Sequence, residues 1–151
     1  MACFRKFALL CLVLAACGSR ASEPGGLIAG AGNFPSPDGK YSLTVKVEAN
    51  ADVDWCLTAT STATVKTCGG GFSDSQRWFF FWDKAGRLWM DNSDMGPFEI
   101  RSPDAEGNFI STEIRAGSPE LKSMPSEVRA RLGSVERRLL KLDVESSPKY
   151  P

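Results

Sequence analysis

The sequence predicts a mainly β domain of α+β type. About six antiparallel strands form a curved sheet or small sandwich, followed by a C-terminal helical segment. Three observations predict it. Residues 41–59 alternate apolar and polar side chains with a period of two. Short apolar runs separated by turn residues then recur as far as Ile114. Beyond Ala116 the period lengthens: Val128, Leu132, Val135, Leu139 and Leu142 recur at steps of four, three, four and three, a helical stripe.

The elements follow in order. Pro35 to Lys40 is a turn cluster. Tyr41, Leu43, Val45, Val47 and Ala49 then share one face and Ser42, Thr44, Lys46 and Glu48 the other, a half-buried strand. Asn50-Ala51-Asp52 ends it, and Val53, Trp55, Leu57 and Ala59 continue the apolar face. If Cys56 and Cys68 meet across a hairpin, Leu57 faces Thr67 and Ala59 faces Val65, which keeps the apolar positions together. Gly69-Gly70-Gly71 is expected to open a loop running to about Gln76. No Gly-Lys-Ser/Thr follows, so it is not a phosphate loop, but loops of this kind often carry contacts.

Arg77 to Trp82 is apolar on both faces, so this strand needs cover on both sides, and a helix lying on the sheet supplies it. Asp83 to Gly86 reads as a hairpin turn with Gly86 at positive φ. Arg87 to Met90 returns, and Asp91 to Gly96 turns again. Phe98 to Arg101 and Phe109 to Ile114 are further strands, with Ser102 to Gly107 turning between them. Pro125 suits the first helical turn and Glu127 the positive end of the helix. Gly133-Ser134 interrupts the stripe as a stop and a new cap. No internal repeat is visible, and the chain is too short for a propeller.

The N-terminal region sets an address. Arg5 and Lys6 precede the apolar run Phe7 to Ala16, which has ten residues. A membrane-spanning helix needs about 20, and the pattern is that of a secretory signal. Leu14-Ala15-Ala16-Cys17 resembles the lipobox of bacterial lipoproteins. That resemblance implies cleavage before Cys17 and acylation of Cys17 on its sulfur and its new amine. Several acyl chains are needed, because one alone holds only marginally. Gly18 rather than Asp follows, which the resemblance associates with the outer membrane. The expected location is therefore the bacterial cell envelope, lipid-anchored at the outer membrane and facing the periplasm. An ordinary cut after Ala21 is the alternative, giving a soluble periplasmic or secreted protein. The chain divides into a signal peptide over 1–16, the lipidated Cys17 with a flexible tether over 17–34, a β-rich domain over 35–145 and a frayed tail over 146–151.

Composition removes several chemistries. The chain has 18 Lys+Arg, 18 Asp+Glu and no His. Without His there is no Ser-His-Asp or Cys-His arrangement and no His-ligated metal. Balanced charge leaves no footprint for nucleic acid. Of five Cys, Cys3 and Cys11 lie in the signal and Cys17 takes lipid. Cys56 and Cys68 remain, and in an exported domain they read as one disulfide. A two-Cys metal site is the weaker reading, since a tetrahedral site wants four ligands.

The aromatic cluster Trp55, Trp78, Phe79, Phe80, Phe81, Trp82, Trp89 and Phe98 reads mainly as core. Trp55, Trp78, Trp82 and Trp89 are the candidate binding residues, if one or two rings reach a surface groove. Asp91 to Gly96 fails as a calcium loop: Met95 takes the fifth position and Ser102 the twelfth. No metal or cofactor is expected. Asp52, Asp54, Asp83, Asp91, Asp94 and Glu99 offer carboxylates without a catalytic pattern. Arg129, Arg131, Arg137, Arg138 and Lys141 make the helical segment basic; they read first as a solvated helix face, with anionic lipid heads or an acidic partner as the alternative. Removing Arg5 and Lys6 from the 18 basic residues leaves 16 against 18 acidic ones, which argues against general lipid adhesion.

The expectation is a lipid-anchored envelope protein with a non-catalytic binding module, such as an inhibitor, an immunity protein or an assembly accessory. Its partner would be an envelope protein or peptidoglycan. A structural scaffold of an envelope complex is the alternative, and a carboxylate-dependent glycan hydrolase a weaker one.

Overall fold

A computed structural model describes residues 25–93 and 98–142 of the chain. The strands are β1 (Leu27–Ile28), β2 (Gly32–Pro35), β3 (Tyr41–Val47), β4 (Asp52–Ala59), β5 (Thr64–Ser73), β6 (Trp78–Trp82), β7 (Leu88–Asn92), β8 (Glu99–Pro103) and β9 (Phe109–Glu113). A 3-10 turn over Pro119–Ser123 and two short helices, α1 (Ser126–Arg131) and α2 (Ser134–Leu139), follow. The strands form two antiparallel sheets, one ordered β2-β3-β4-β5 and the other β1-β6-β7-β8-β9. Of the architectures expected, this is the small sandwich with its helical segment.

Strand β6 explains the layering. All five of its residues, Trp-Phe-Phe-Phe-Trp, are buried. Trp78, Phe80 and Trp82 point into a core shared with Leu43, Val45, Val53 and Leu57 of the four-stranded sheet. Phe79 and Phe81 point the other way, into a core with Met124, Val128, Leu132 and Leu140 of the helical segment. A strand apolar on both faces has no solvent side, so the five-stranded sheet is the middle of three layers.

The β4–β5 hairpin carries the disulfide. Cys56 and Cys68 are direct cross-strand neighbours and are bonded. Leu57 faces Thr67 as the spacing predicts, but Ala59 faces Thr64 rather than Val65. A register shift between Leu57 and Thr58 adds one residue to β5. The expected loop over 69–76 also differs, because β5 runs on through the glycines to Ser73. A second shift lies between Val53 and Asp54. At Gly70, with φ 144°, a side chain would come 2.6 Å from the Val53 carbonyl oxygen and Asp54 Cα. Only glycine fits there, so the run is a strand bulge rather than a loop.

Two further expectations need correction. The stretch assigned to a tether is ordered β structure from Leu27. Leu27 and Ile28 pair with Phe81 and Phe80, and Gly32–Pro35 pairs with Ser42–Val45. Ile28 is fully packed in the core, and the Phe34 carbonyl accepts a hydrogen bond from Trp82 Nε1. Glycine-rich composition hid two strands too short to show a period. The helical stripe also breaks. Val128, Leu132 and Leu140 are buried, whereas Val135 and Leu139 are exposed. Leu132 and Gly133 are extended between the helices, which resets the phase of α2. Cys17, the signal region and the 146–151 tail lie outside the described residues.

Candidate functional site

All four tryptophans are at least nine-tenths buried: Trp55 3% exposed, Trp78 6%, Trp82 1% and Trp89 0%. Three of them have their indole N–H satisfied. Trp78 Nε1 donates to Asp74 Oδ1 at 3.0 Å, Trp82 Nε1 to the Phe34 carbonyl at 3.2 Å, and Trp89 Nε1 to Asp83 Oδ2 at 2.9 Å. A buried indole with a partner is a core residue. Trp55 differs. Among the described residues nothing accepts a hydrogen bond from its Nε1, and its ring forms a wall of a groove of about 230 Å³.

The groove is built from both sheets. On β4, Trp55 faces inward and packs edge-on against Phe80 of β6, with ring centroids 6.0 Å apart. Its direct neighbour on β5 is Gly69. A methyl group at Gly69 would stand 2.7 Å from Trp55 Cζ2, so the indole occupies the space of the missing side chain. Gly69 and Gly70 thus leave the rim of the groove bare backbone. From β8, Glu99 and Arg101 project to the same side, as residues two apart on a strand must. The Arg101 guanidinium lies 4.8 Å from the Trp55 ring centroid, a cation–π stack. Arg101 Nε and Nη2 both donate to Glu99 Oε1, at 3.2 and 3.0 Å. Ser111 of β9 donates to the other Glu99 oxygen.

This arrangement suits recognition. It offers an apolar wall, a guanidinium fixed in orientation, an indole N–H and backbone. Its carboxylates are engaged by arginines. Glu113, opposite Glu99 in register but lining a different groove, accepts from Arg115 at 2.9 and 2.7 Å, and this hydrogen bonding holds its carboxyl below the usual range. A general acid working near neutral pH needs the opposite shift.

Asp91 does show that shift, since burial pushes its carboxyl above the usual range against the pull of Arg77. It too lines the Trp55 groove, but its carboxyl is turned to the helical side, in register with Phe79. There Arg77 Nη2 donates to Asp91 at 3.0 Å and to Glu136 of α2 at 2.6 Å. Burial opposes ionisation of Glu136, but the hydrogen bond from Arg77 and those from backbone N–H groups hold its carboxyl low. Asp83, also buried, accepts from Trp89 Nε1, Arg87 Nε and the Ala85 and Arg87 amides. Arg87 lies over the Trp89 ring and reaches Ser123. These two aspartates are latches between sheet and helices. Among the described residues no three of His, Cys, Asp and Glu gather as a metal ion needs.

No known family matches. The chain was compared with family models, curated proteins and solved structures, and none is similar to it.

The sequence reading named Trp55 but not Arg101. The Glu99-Ile100-Arg101 spacing was the available signal: an acid and a base on one strand face, both pointing away from a buried Ile100. What no pattern could show is that β8 passes beneath Trp55.

Proposed function

We propose that this protein is a lipid-anchored component of the bacterial cell envelope whose β domain is a non-catalytic binding module. The Leu14–Cys17 sequence supports the anchor, placed at the outer membrane with the domain facing the periplasm. The Trp55–Arg101 stack supports the binding role, and it is the observation that carries the reading. A cation held over an indole at the mouth of a groove, beside a rim without side chains, presents donors to an extended polar chain at little entropic cost. Peptidoglycan and an extended segment of another envelope protein both fit that description.

The test uses the full-length protein made in a Gram-negative host. Expected results are a membrane-fraction protein carrying lipid on Cys17, and release of the Cys17→Ala variant from that fraction. Purified protein should bind either peptidoglycan or one envelope protein saturably. Arg101→Ala should weaken that binding about tenfold or more, measured well below the variant's own thermal midpoint, which should fall because Glu99 loses its partner. Equal binding by the variant would remove the groove from the proposal. A Cys17→Ala protein that stays firmly membrane-bound would remove the anchor.

A further inference from the structure

Helix α2 shows the solvent an unusual face. Its phase reset leaves Val135 54% and Leu139 69% exposed, while Leu140 is buried. Arg129, Arg131, Arg138 and Lys141 are exposed on the same helical segment, and Leu139 borders a groove that Glu113, Arg115 and Glu136 also line. The acid within α2, Glu136, is already held by Arg77 at 2.6 Å. An exposed apolar pair on a helical segment rich in cations is complementary to one kind of surface: lipid headgroups with negative charge above an apolar interior.

Chain length favours the same partner. Only residues 18–24 separate Cys17 from Gly25, the first described residue. Fully extended, that stretch spans at most about 29 Å. Gly25 lies against Pro37 and the Trp82 carbonyl, and it lines one groove that reaches Pro125 and Glu127 at the start of α1. A domain of this size has a radius of gyration of about 13 Å. An anchor on Cys17 therefore keeps the domain beside the bilayer, and a contact too weak to recruit it from solution becomes an intramolecular one.

We infer that the face formed by α2 and the end of α1 docks on an anionic phospholipid bilayer, Val135 and Leu139 entering the headgroup region while the segment's exposed arginines and Lys141 meet phosphates. This rests on the lipid-anchor reading above, and it sets the orientation: the helical layer faces the membrane.

The experiment takes the protein as isolated from its host and reconstitutes it in two kinds of vesicle, phosphatidylcholine alone and phosphatidylcholine with phosphatidylglycerol. Hydrogen exchange is read over residues 128–142, and the mass of the N-terminal peptide is read on the same sample. On anionic vesicles these amides should exchange about tenfold more slowly than on neutral ones. The Val135→Ser/Leu139→Ser variant, which alters exposed side chains, should lose that difference. Equal exchange on both vesicle types overturns the inference. Protection that instead follows protein concentration in either vesicle also overturns it and assigns the face to a second copy. Lipid on Cys17 with equal exchange leaves the anchor standing and removes the docking. A protein without lipid that still shows slower exchange on, and flotation with, anionic vesicles only does the reverse.

Discussion

Phe79 and Phe80 are neighbours on β6 and each is 1% exposed, yet they pack against layers that are held in different ways. Phe80 faces a second sheet. Its contacts there are apolar and aromatic, with Trp55 at 6.0 Å and Phe72 at 6.5 Å between ring centroids. That sheet is continuous hydrogen-bonded backbone carrying the Cys56–Cys68 bond, so burial does most to fix its position, with the Trp82–Phe34 hydrogen bond and the Trp55–Arg101 stack as its ties to the other sheet. Phe79 faces a 3-10 turn and two six-residue helices. Helices so short do not hold in water by themselves, and no strand pairs them to the sheet. Two buried aspartates supply the positional constraint: Asp83 through Arg87 to Ser123, and Asp91 through Arg77 to Glu136. A layer with its own backbone network can be held by grease. A layer without one needs directional bonds.

Truncating the two phenylalanines breaks the comparison most severely. Phe80→Ala should cost about 4 kcal/mol and unfold both sheets together. Phe79→Ala removes the same atoms but should first free the helical layer, raising exchange over 119–140 before the disulfide hairpin loosens. Denaturant titration followed by hydrogen exchange reads the order, and identical unfolding of the two variants would show that the layers are not separable. Asp83→Ala comes next, at about 3 kcal/mol, because it strands the Trp89 N–H and the Arg87 guanidinium at once. Asp83→Asn should recover part of that loss, since an amide oxygen still accepts. Recovery to the full wild-type midpoint would mean that the charge of Asp83 contributes nothing.

The groove is tested by a smaller change. Gly69→Ala places a methyl where the Trp55 indole lies, and overpacking of this kind costs about 2 kcal/mol. The Trp55 indole resonance should shift while those of Trp78, Trp82 and Trp89 stay. A variant with an unmoved Trp55 resonance would show that the rim, not the indole, gives way.

What could be read from the sequence follows from the range of the forces involved. The β3–β5 alternation and the two-faced β6 were legible because period and composition report burial directly. Cys56 and Cys68 were legible because a disulfide fixes a register. Leu27–Ile28 was not, since two residues carry no period and their stability comes from Phe80 and Phe81, more than fifty residues away. The glycine run misled for a related reason: what demands Gly70 is the Val53 carbonyl on another strand. The phase of α2 was lost at Gly133, whose position as a break was visible but whose rotation was not. Arg101 was missed because a cation–π stack depends on where two sheets cross.

The smallest expected effect separates the two members of one latch. Glu136→Gln keeps the shape of the side chain but loses its charge toward Arg77, costing about 1 kcal/mol at neutral pH. The pH dependence is more informative than the size. The Glu136 carboxyl is held low in the fold, so its contribution is present above the usual glutamate value of about 4.3 and is lost as pH falls through the lowered value. Asp91 has the opposite sign. Its carboxyl is raised by burial, so its contribution is complete below the usual aspartate value of about 3.9 and is lost as pH rises through the raised one. In the native protein the two oppose each other, and protection of α2 amides, corrected for intrinsic exchange, should change little between neutral and acid pH. With Gln at 136 only the Asp91 effect remains, so α2 should become better protected on acidification. With Asn at 91 only the Glu136 effect remains, and protection should fall. Parallel profiles for both variants would mean that Arg77 does not couple the two carboxylates, and that α2 is held on the sheet by Leu140 and its apolar neighbours alone.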